Sequence, residues 1–279
     1  MRYKVYAPQA FLKQGLFALI AEIWNELARN RWLTWQLFKR DFVAGYKQYL
    51  LGFWWVVFVP FASILSFMLL NKAGIVSFGS VAIPYPLYAF AGISFWQIFA
   101  TGLINATHAL VNAAGMIGKI NFCRKSLVIA TLGQATVFFL IQIAVGTGLF
   151  FYYRYIPSEK ALLIPFLFLP LALLTLGLGF ICAILNTMVR EIANLLSFLM
   201  TFLMLITPVL YQRPSSGVLA AITRYNPLYY LVAFPRDMIL YGQSAEGAGF
   251  WASSAFSIAL LGVSLVFFHI AESKIAERL

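Results

Sequence analysis

The chain has 279 residues, 62% of them hydrophobic and 10% charged, with a mean hydropathy of +0.85 and a formal net charge of +11. Soluble globular domains carry about 25% charged residues, so a soluble enzyme or binding module is excluded and a membrane protein is expected. The cationic surplus follows from membrane topology and anionic headgroups, and no nucleic-acid partner is expected.

Residues 1–50 are too polar to cross a bilayer. Leu16, Leu19, Ile20, Ile23, Trp24 and Leu27 recur at helical spacing among Lys13, Glu22, Glu26 and Arg29. Leu33, Leu37, Phe38 and Phe42 repeat the pattern around Lys39, Arg40 and Asp41. Cationic, Trp-bearing amphipathic helices lie at the headgroup boundary, so residues 1–50 are expected to form a cytoplasmic, interfacial segment. No cleavable leader is read in it, because the apolar stretch 16–23 is short and lacks a small-residue cleavage site.

Six apolar runs follow, at 53–70, 86–111, 127–152, 161–186, 192–211 and 250–270. Runs of 18 or more apolar residues reach across a bilayer's hydrocarbon as helices, and in hydrocarbon each backbone amide must be satisfied within its own segment. The expected fold is therefore an all-α membrane protein with a six-helix domain over 51–272 and a short cytoplasmic tail at 273–279. The segment 212–249 carries Asn226-Pro227 and Tyr241-Gly242 around an apolar stretch at 228–241 too short to span. It reads as an extracytoplasmic re-entrant helical hairpin before the last span.

Cation placement sets the orientation. Arg2, Lys4, Lys13, Arg29, Arg31, Lys39, Arg40, Lys47, Lys119, Arg124, Lys125, Arg190, Lys274 and Arg278 fall on one side. Lys72, Arg154, Lys160, Arg213, Arg224 and Arg236 fall on the other, so fourteen oppose six and both termini are assigned to the cytoplasm.

Chemistry-bearing constellations are sparse. Gly118-Lys119 is not a phosphate-binding loop, since Ala113 stands where its first glycine belongs and Ile120 where its hydroxyl residue belongs. Cys123 and Cys182 make neither a disulfide framework nor a metal site. All nine acidic residues lie in connections, tails or span ends, which opposes an ion-coupled carrier or channel and an intramembrane protease. Gln97, Thr101, Asn105, His108 and Asn112 share one face of the second span, and Asn194, Ser197, Phe198, Thr201, Phe202 and Leu205 one face of the fifth. Such faces serve either interhelical hydrogen bonding or a pathway for a polar, uncharged solute.

Four groups of residues in order carry a family resemblance. They are Arg40-Asp41-Phe42 with Tyr46-Lys47 and Leu51-Gly52-Phe53-Trp54-Trp55, and Gly92-Ile93-Ser94-Phe95-Trp96. Arg190-Glu191 with Thr207-Pro208-Val209-Leu210-Tyr211, and Asn226-Pro227-Leu228, complete the set. Over essentially its whole length the chain resembles permease subunits of type-2 ATP-binding-cassette exporters for bacterial surface polysaccharide, the O-antigen, capsule and teichoic acid group. Gly45, Tyr49 and Cys123 depart from that pattern.

The resemblance implies a non-enzymatic homodimer in the bacterial cytoplasmic (inner) membrane, paired with two copies of a separate ATPase that holds ATP and magnesium. No cofactor is implied for this chain. It implies export of a glycan on polyprenyl diphosphate, with ATPase coupling through Lys119, Asn121, Phe122, Arg124 and Lys125, near Arg190 and Glu191. The pathway candidates are Phe58 and Phe61 on the first span and Asn194, Ser197, Phe198, Thr201 and Phe202 on the fifth, facing each other across two copies. Arg31, Lys39 and Arg40 are the candidates for the diphosphate headgroup. Export of a lipid or drug, an ion-coupled carrier, and a non-transporting scaffold of a glycan-synthesis complex are the alternatives.

Overall fold

The computed structural model describes residues 16–47, 54–72, 83–119 and 122–275; Asn121 and the 51–53 part of the entry motif lie outside them. The described residues form helices joined by turns and short connections and contain no strand. The N-terminal segment forms α1 (Leu16–Arg29) and α2 (Arg31–Lys47). The apolar part follows as α3 (Trp54–Lys72), α4 (Tyr85–Asn112), a single turn α5 (Ala114–Ile117) and α6 (Lys125–Tyr152). A 3-10 turn (Glu159–Leu163) leads into α7 (Ile164–Leu167), α8 (Leu169–Met188) and α9 (Ile192–Ile206). The chain ends with α10 (Val218–Tyr225), α11 (Pro227–Tyr241) and α12 (Gly247–Ile275).

Four helical stretches are long and apolar enough to cross a bilayer: Tyr85–Asn112, Lys125–Tyr152, Glu159–Met188 and Gly247–Glu272. The protein is therefore a multi-pass membrane protein. Two of the six expected runs form shorter apolar helices, Val57–Ser66 within α3 and the whole of α9. The fifth run stops at Ile206 rather than Tyr211, because Thr207 is extended (ψ 122°) ahead of Pro208, and a residue before proline is driven out of the helical region. The fourth run is interrupted for a related reason. Pro165 and Pro170 sit in the first turns of α7 and α8, with Phe168 between the two helices, since proline is accepted only where a helix begins.

The second run, α4, is the central element. Its neighbours α6, α8, α9 and α11 cover it, and Leu87, Tyr88, Ala89, Ile93, Phe95, Ile98 and Leu110 are all buried. Small residues allow the tightest approach. A methyl added at Gly179 of α8 would come within 2.7 Å of the Ala106 side chain of α4, the close packing that glycine provides between membrane helices. Asn186 near the end of α8 donates to the Thr107 carbonyl of α4 at 3.1 Å. These contacts set α4 and α8 parallel, so the turns after them lie at one end of the bundle.

That end also receives the amphipathic segment. Leu37 is buried, and Phe38 lies against Gly133 of α6, whereas Trp24, Trp32 and Trp35 point outward at 73%, 69% and 59% exposure. At the opposite end α11 is enclosed, with Leu231, Val232 and Ala233 fully covered. Tyr155 donates from its hydroxyl to the Leu240 carbonyl at 2.6 Å, and the Ser158 amide donates to Ile239 at 2.9 Å. The segment 212–249 is thus two helices meeting at Asn226, whose side chain accepts from the Leu228 amide and caps α11.

Candidate coupling end and transport face

The end that holds the turns after α4 and α8 is organised around one buried ammonium. Lys125 is fully buried, and its Nζ donates to Glu26 Oε2 at 2.9 Å and to Glu272 Oε2 at 2.6 Å. Arg124 completes the knot: its backbone amide donates to Glu272 Oε1 at 3.2 Å and its guanidinium donates to the Glu272 carbonyl. His269 Nδ1 lies 3.9 Å from Glu26 Oε2. Three distant pieces of chain, α1, the start of α6 and the last turns of α12, are thereby pinned together.

This placement divides the candidate coupling residues. Lys119, Arg190 and Glu191 are exposed, each on a turn at this end. Phe122 is half-buried against the cluster of Leu110, Leu127, Phe180 and Phe268. Lys125, grouped with them by sequence, has its charge turned inward to two carboxylates. Burial of the neighbouring Cys123 pushes its thiol up to about 11. The candidate headgroup cations are likewise divided. Arg31 and Lys39 are exposed, but Arg40 donates to Asp41 at 2.7 Å. Arg31 and Arg40 are nine residues apart on α2, roughly 180° around a helix of 3.6 residues per turn, so the helix does not bring them together.

The candidate pathway residues share one property, exposure. On α9 only Ala193 and Met200 are buried, while Asn194, Ser197, Thr201, Phe198 (62%) and Phe202 (46%) lie open. The rings of Phe198 and Phe202 meet one turn apart, tilted by 53° with centroids 4.7 Å from each other. Ser197 donates to the Ala193 carbonyl at 3.0 Å, which satisfies its proton and leaves its oxygen outward. On α3, Phe58 is 60% exposed, and Phe61, at 38%, touches Phe90 of α4 with centroids 5.8 Å apart. The polar face of α4 behaves differently: Asn105 donates to Gln134 of α6 at 3.3 Å, an interhelical hydrogen bond within the subunit.

The exit of α9 is fixed from within, where motif residues meet Arg236 and Tyr88, two residues outside the motifs. Arg236 of α11 is 3% exposed and donates to the carbonyls of Pro208 and Val209, both at 3.2 Å. Its guanidinium also sits 4.0 Å over the Tyr88 ring, and Tyr88 donates to the Tyr211 carbonyl at 3.2 Å. Asn226 donates to Thr207 Oγ1 at 2.9 Å. Gly92 belongs to the same knot, because an added Cβ there would strike the Val209 carbonyl. The motifs around Gly92, Thr207 and Asn226 therefore meet at one place.

Comparison with known proteins agrees with this architecture. The pattern of the ABC-2 type transporter family matches residues 33–240. The chain is similar to the O-antigen export system permease protein RfbA of Myxococcus xanthus, 24% identical over 259 residues, which covers 91% of this chain and 98% of that protein. It is also similar to the O-antigen export system permease protein RfbA of Klebsiella pneumoniae, 24% identical over 244 residues, covering 86% of this chain and 92% of that protein.

Proposed function

The chain belongs to the ABC-2 type transporter family, and from that premise we propose that it is the permease of an ATP-driven exporter of lipid-linked surface polysaccharide. It works as a homodimer in the bacterial cytoplasmic membrane, with two copies of a separate ATPase docked on the end that carries Lys119, Arg190 and Glu191. Both termini are cytoplasmic, α3 and α9 complete six spans, and α10 and α11 form the re-entrant element on the far side. The glycan travels on a polyprenyl diphosphate whose headgroup meets Arg31 and Lys39.

The observation that carries this reading is the open face of α9. It offers hydroxyl and amide groups from Asn194, Ser197 and Thr201 beside the rings of Phe198 and Phe202, and none of these five residues is charged. A long hydroxylated polymer can slide along neutral hydrogen-bonding groups and aromatic planes without a deep well, whereas fixed charges would hold it. Phe58 and Phe61 on α3 supply further exposed rings. Two copies that set these faces opposite each other would enclose a channel of that chemistry.

Substitution tests it. Ser197→Trp and Thr201→Trp are expected to abolish surface glycan while leaving ATPase association unchanged, and to shift stability by no more than about 0.5 kcal/mol, the ordinary range for exposed sites. Normal export by both variants would remove α9 from the pathway.

A further inference from the structure

A cavity lies away from the α9 face, between α4, α6, the 3-10 turn with α7, and the end of α11. It encloses about 630 Å³, within the range of small-ligand pockets. Its walls are apolar, formed by Phe90, Phe95, Phe139, Ile143, Ile164 and Ile239 among others. Its outer rim includes Thr147, Phe151 (80% exposed) and Ile156 (89% exposed), so it opens sideways from the bundle, where lipid stands.

The polar groups around it are few, and most are already satisfied. Ser94 donates to the Phe90 carbonyl, Thr147 to the Ile143 carbonyl and Tyr155 to the Leu240 carbonyl. Two groups remain. Arg154 stands at the mouth, exposed, in a left-handed backbone conformation (φ 51°), and forms no ion pair among the described residues. A non-glycine residue held in that region is sparsely populated and persists where the surroundings fix it. Deep inside, Gln142 is 1% exposed and its Oε1 has no hydrogen-bond partner among the described residues. Gln142 precedes the end of α6 at Tyr152 by ten residues, about 15 Å at 1.5 Å per residue.

An apolar chamber with a cation at its mouth fits an amphiphile, not a sugar. A buried amide oxygen without a protein partner also signals that something outside the chain completes the chamber. We propose that this cavity is a binding site for one acyl chain of an anionic phospholipid, with the phosphate on Arg154 and the chain running inward between Phe90 and Phe139. The Gln142 amide then takes its donor from a water sealed beneath the chain end. The proposed topology makes the surrounding leaflet the outer one, but the site depends only on the cavity and not on the exported cargo.

The test uses the full-length permease in nanodiscs containing a phosphatidylglycerol probe with a photoreactive group near the end of one acyl chain. Crosslinks are expected on peptides covering 90–95 and 139–147, in excess over the outward face of α12 at Ile258, Val263 and Phe267. Thr147→Trp, at an exposed rim position, should suppress that excess while leaving α12 labelling unchanged. Arg154→Ala should weaken retention roughly tenfold, the loss expected for one charge-assisted hydrogen bond. A diacylglycerol probe with the same chains should be indifferent to that change. Gln142→Leu should leave retention equal or higher, since it removes an amide that the chain does not use.

Equal labelling of the cavity and of α12, or no effect of Thr147→Trp, would mean annular lipid only and overturn the site. Loss of the probe on Gln142→Leu would overturn the orientation with the phosphate at Arg154. Displacement of the probe by an equimolar polyprenyl phosphate would overturn the phospholipid assignment. None of these readouts measures glycan export, so the exporter reading stands or falls separately.

Discussion

Removing the charge of Lys125 is the most direct probe of how the cytoplasm-assigned end is held. In Lys125→Met the stem still fills its space, but the ammonium that bridges Glu26 at 2.9 Å and Glu272 at 2.6 Å is gone. Two carboxylates that one cation held together are left facing each other. Breaking a buried pair by removing one partner costs about 3–5 kcal/mol. The carboxylates retain 23% and 17% side-chain exposure and can rehydrate in part, which places the cost near the lower end, about 3 kcal/mol. At a few degrees per kcal/mol for a chain of this size, Tm should fall by roughly 6–12 °C.

The assay is thermal unfolding of the detergent-purified permease, followed by loss of its monodisperse peak on size exclusion. The comparison that isolates the electrostatics is the triple variant Lys125→Met, Glu26→Gln, Glu272→Gln. With no net charge left to strand, it should regain more than half of the lost stability, because a neutral buried cluster lacks the uncompensated carboxylates. A Tm for Lys125→Met within a degree or two of the parent would refute the reasoning. So would a triple variant no more stable than the single one, which would mean that packing and not charge holds α1 and α12 to α6.

Three further outcomes follow from the geometry. Lys119→Glu combined with Arg190→Glu should abolish ATPase association and export with a stability change within about 0.5 kcal/mol, as both side chains are exposed; co-purification of the ATPase measures it. Gly92→Ala should destabilise by about 1–3 kcal/mol, the usual cost of overpacking, because its methyl meets the Val209 carbonyl; Gly262→Ala, with open space around it, should be neutral in the same thermal assay. Cys123, held near 11 by burial, should resist maleimide at pH 7–8, with its rate climbing as pH approaches 11. A cysteine placed at the exposed Lys119 should react at once, and mass spectrometry of the labelled peptides distinguishes the two.

Run length and proline position carried most of the helical map. The apolar runs at 86–111, 127–152 and 250–270 reappear as α4, α6 and α12 within a few residues, because a span's length is fixed by the bilayer and not by its neighbours. The fourth run, 161–186, returns as the stretch Glu159–Met188 with breaks at Pro165 and Pro170; the fifth differs, because Thr207 before Pro208 ended α9 early. Of the candidate site residues, Lys119, Arg190, Glu191 and the α9 set are exposed, whereas Phe122 is half-buried and Lys125 fully buried. The Lys125 cluster was not legible in the sequence, since its three charges lie 99 and 147 positions apart along the chain and no periodicity links them. A faint signal existed: a lysine opening one apolar run and a glutamate closing another on the same side must either reach water or find each other.

The two ends of the bundle are secured by different sets of polar contacts. One end relies on ion pairs, with Lys125 and Arg124 gripping Glu26 and Glu272. The other combines the ion pairs Arg213–Glu246 and Arg236–Asp237 with a guanidinium and two tyrosines holding backbone carbonyls, as Arg236 does at Pro208 and Val209 and Tyr88 and Tyr155 do at Tyr211 and Leu240. Between them α4 and α8 are interleaved through Gly102, Thr175, Ala106 and Gly179, a contact that tolerates little sliding. α9 has no comparable grip: along its fifteen residues only Ala193 and Met200 are buried. Elements with few buried contacts belong to the low-stability end of a fold and supply its motions. α9 is held mainly at its two ends, where Asn186 accepts from the Ala193 amide at 3.3 Å and Arg236 grips the carbonyls just past Ile206.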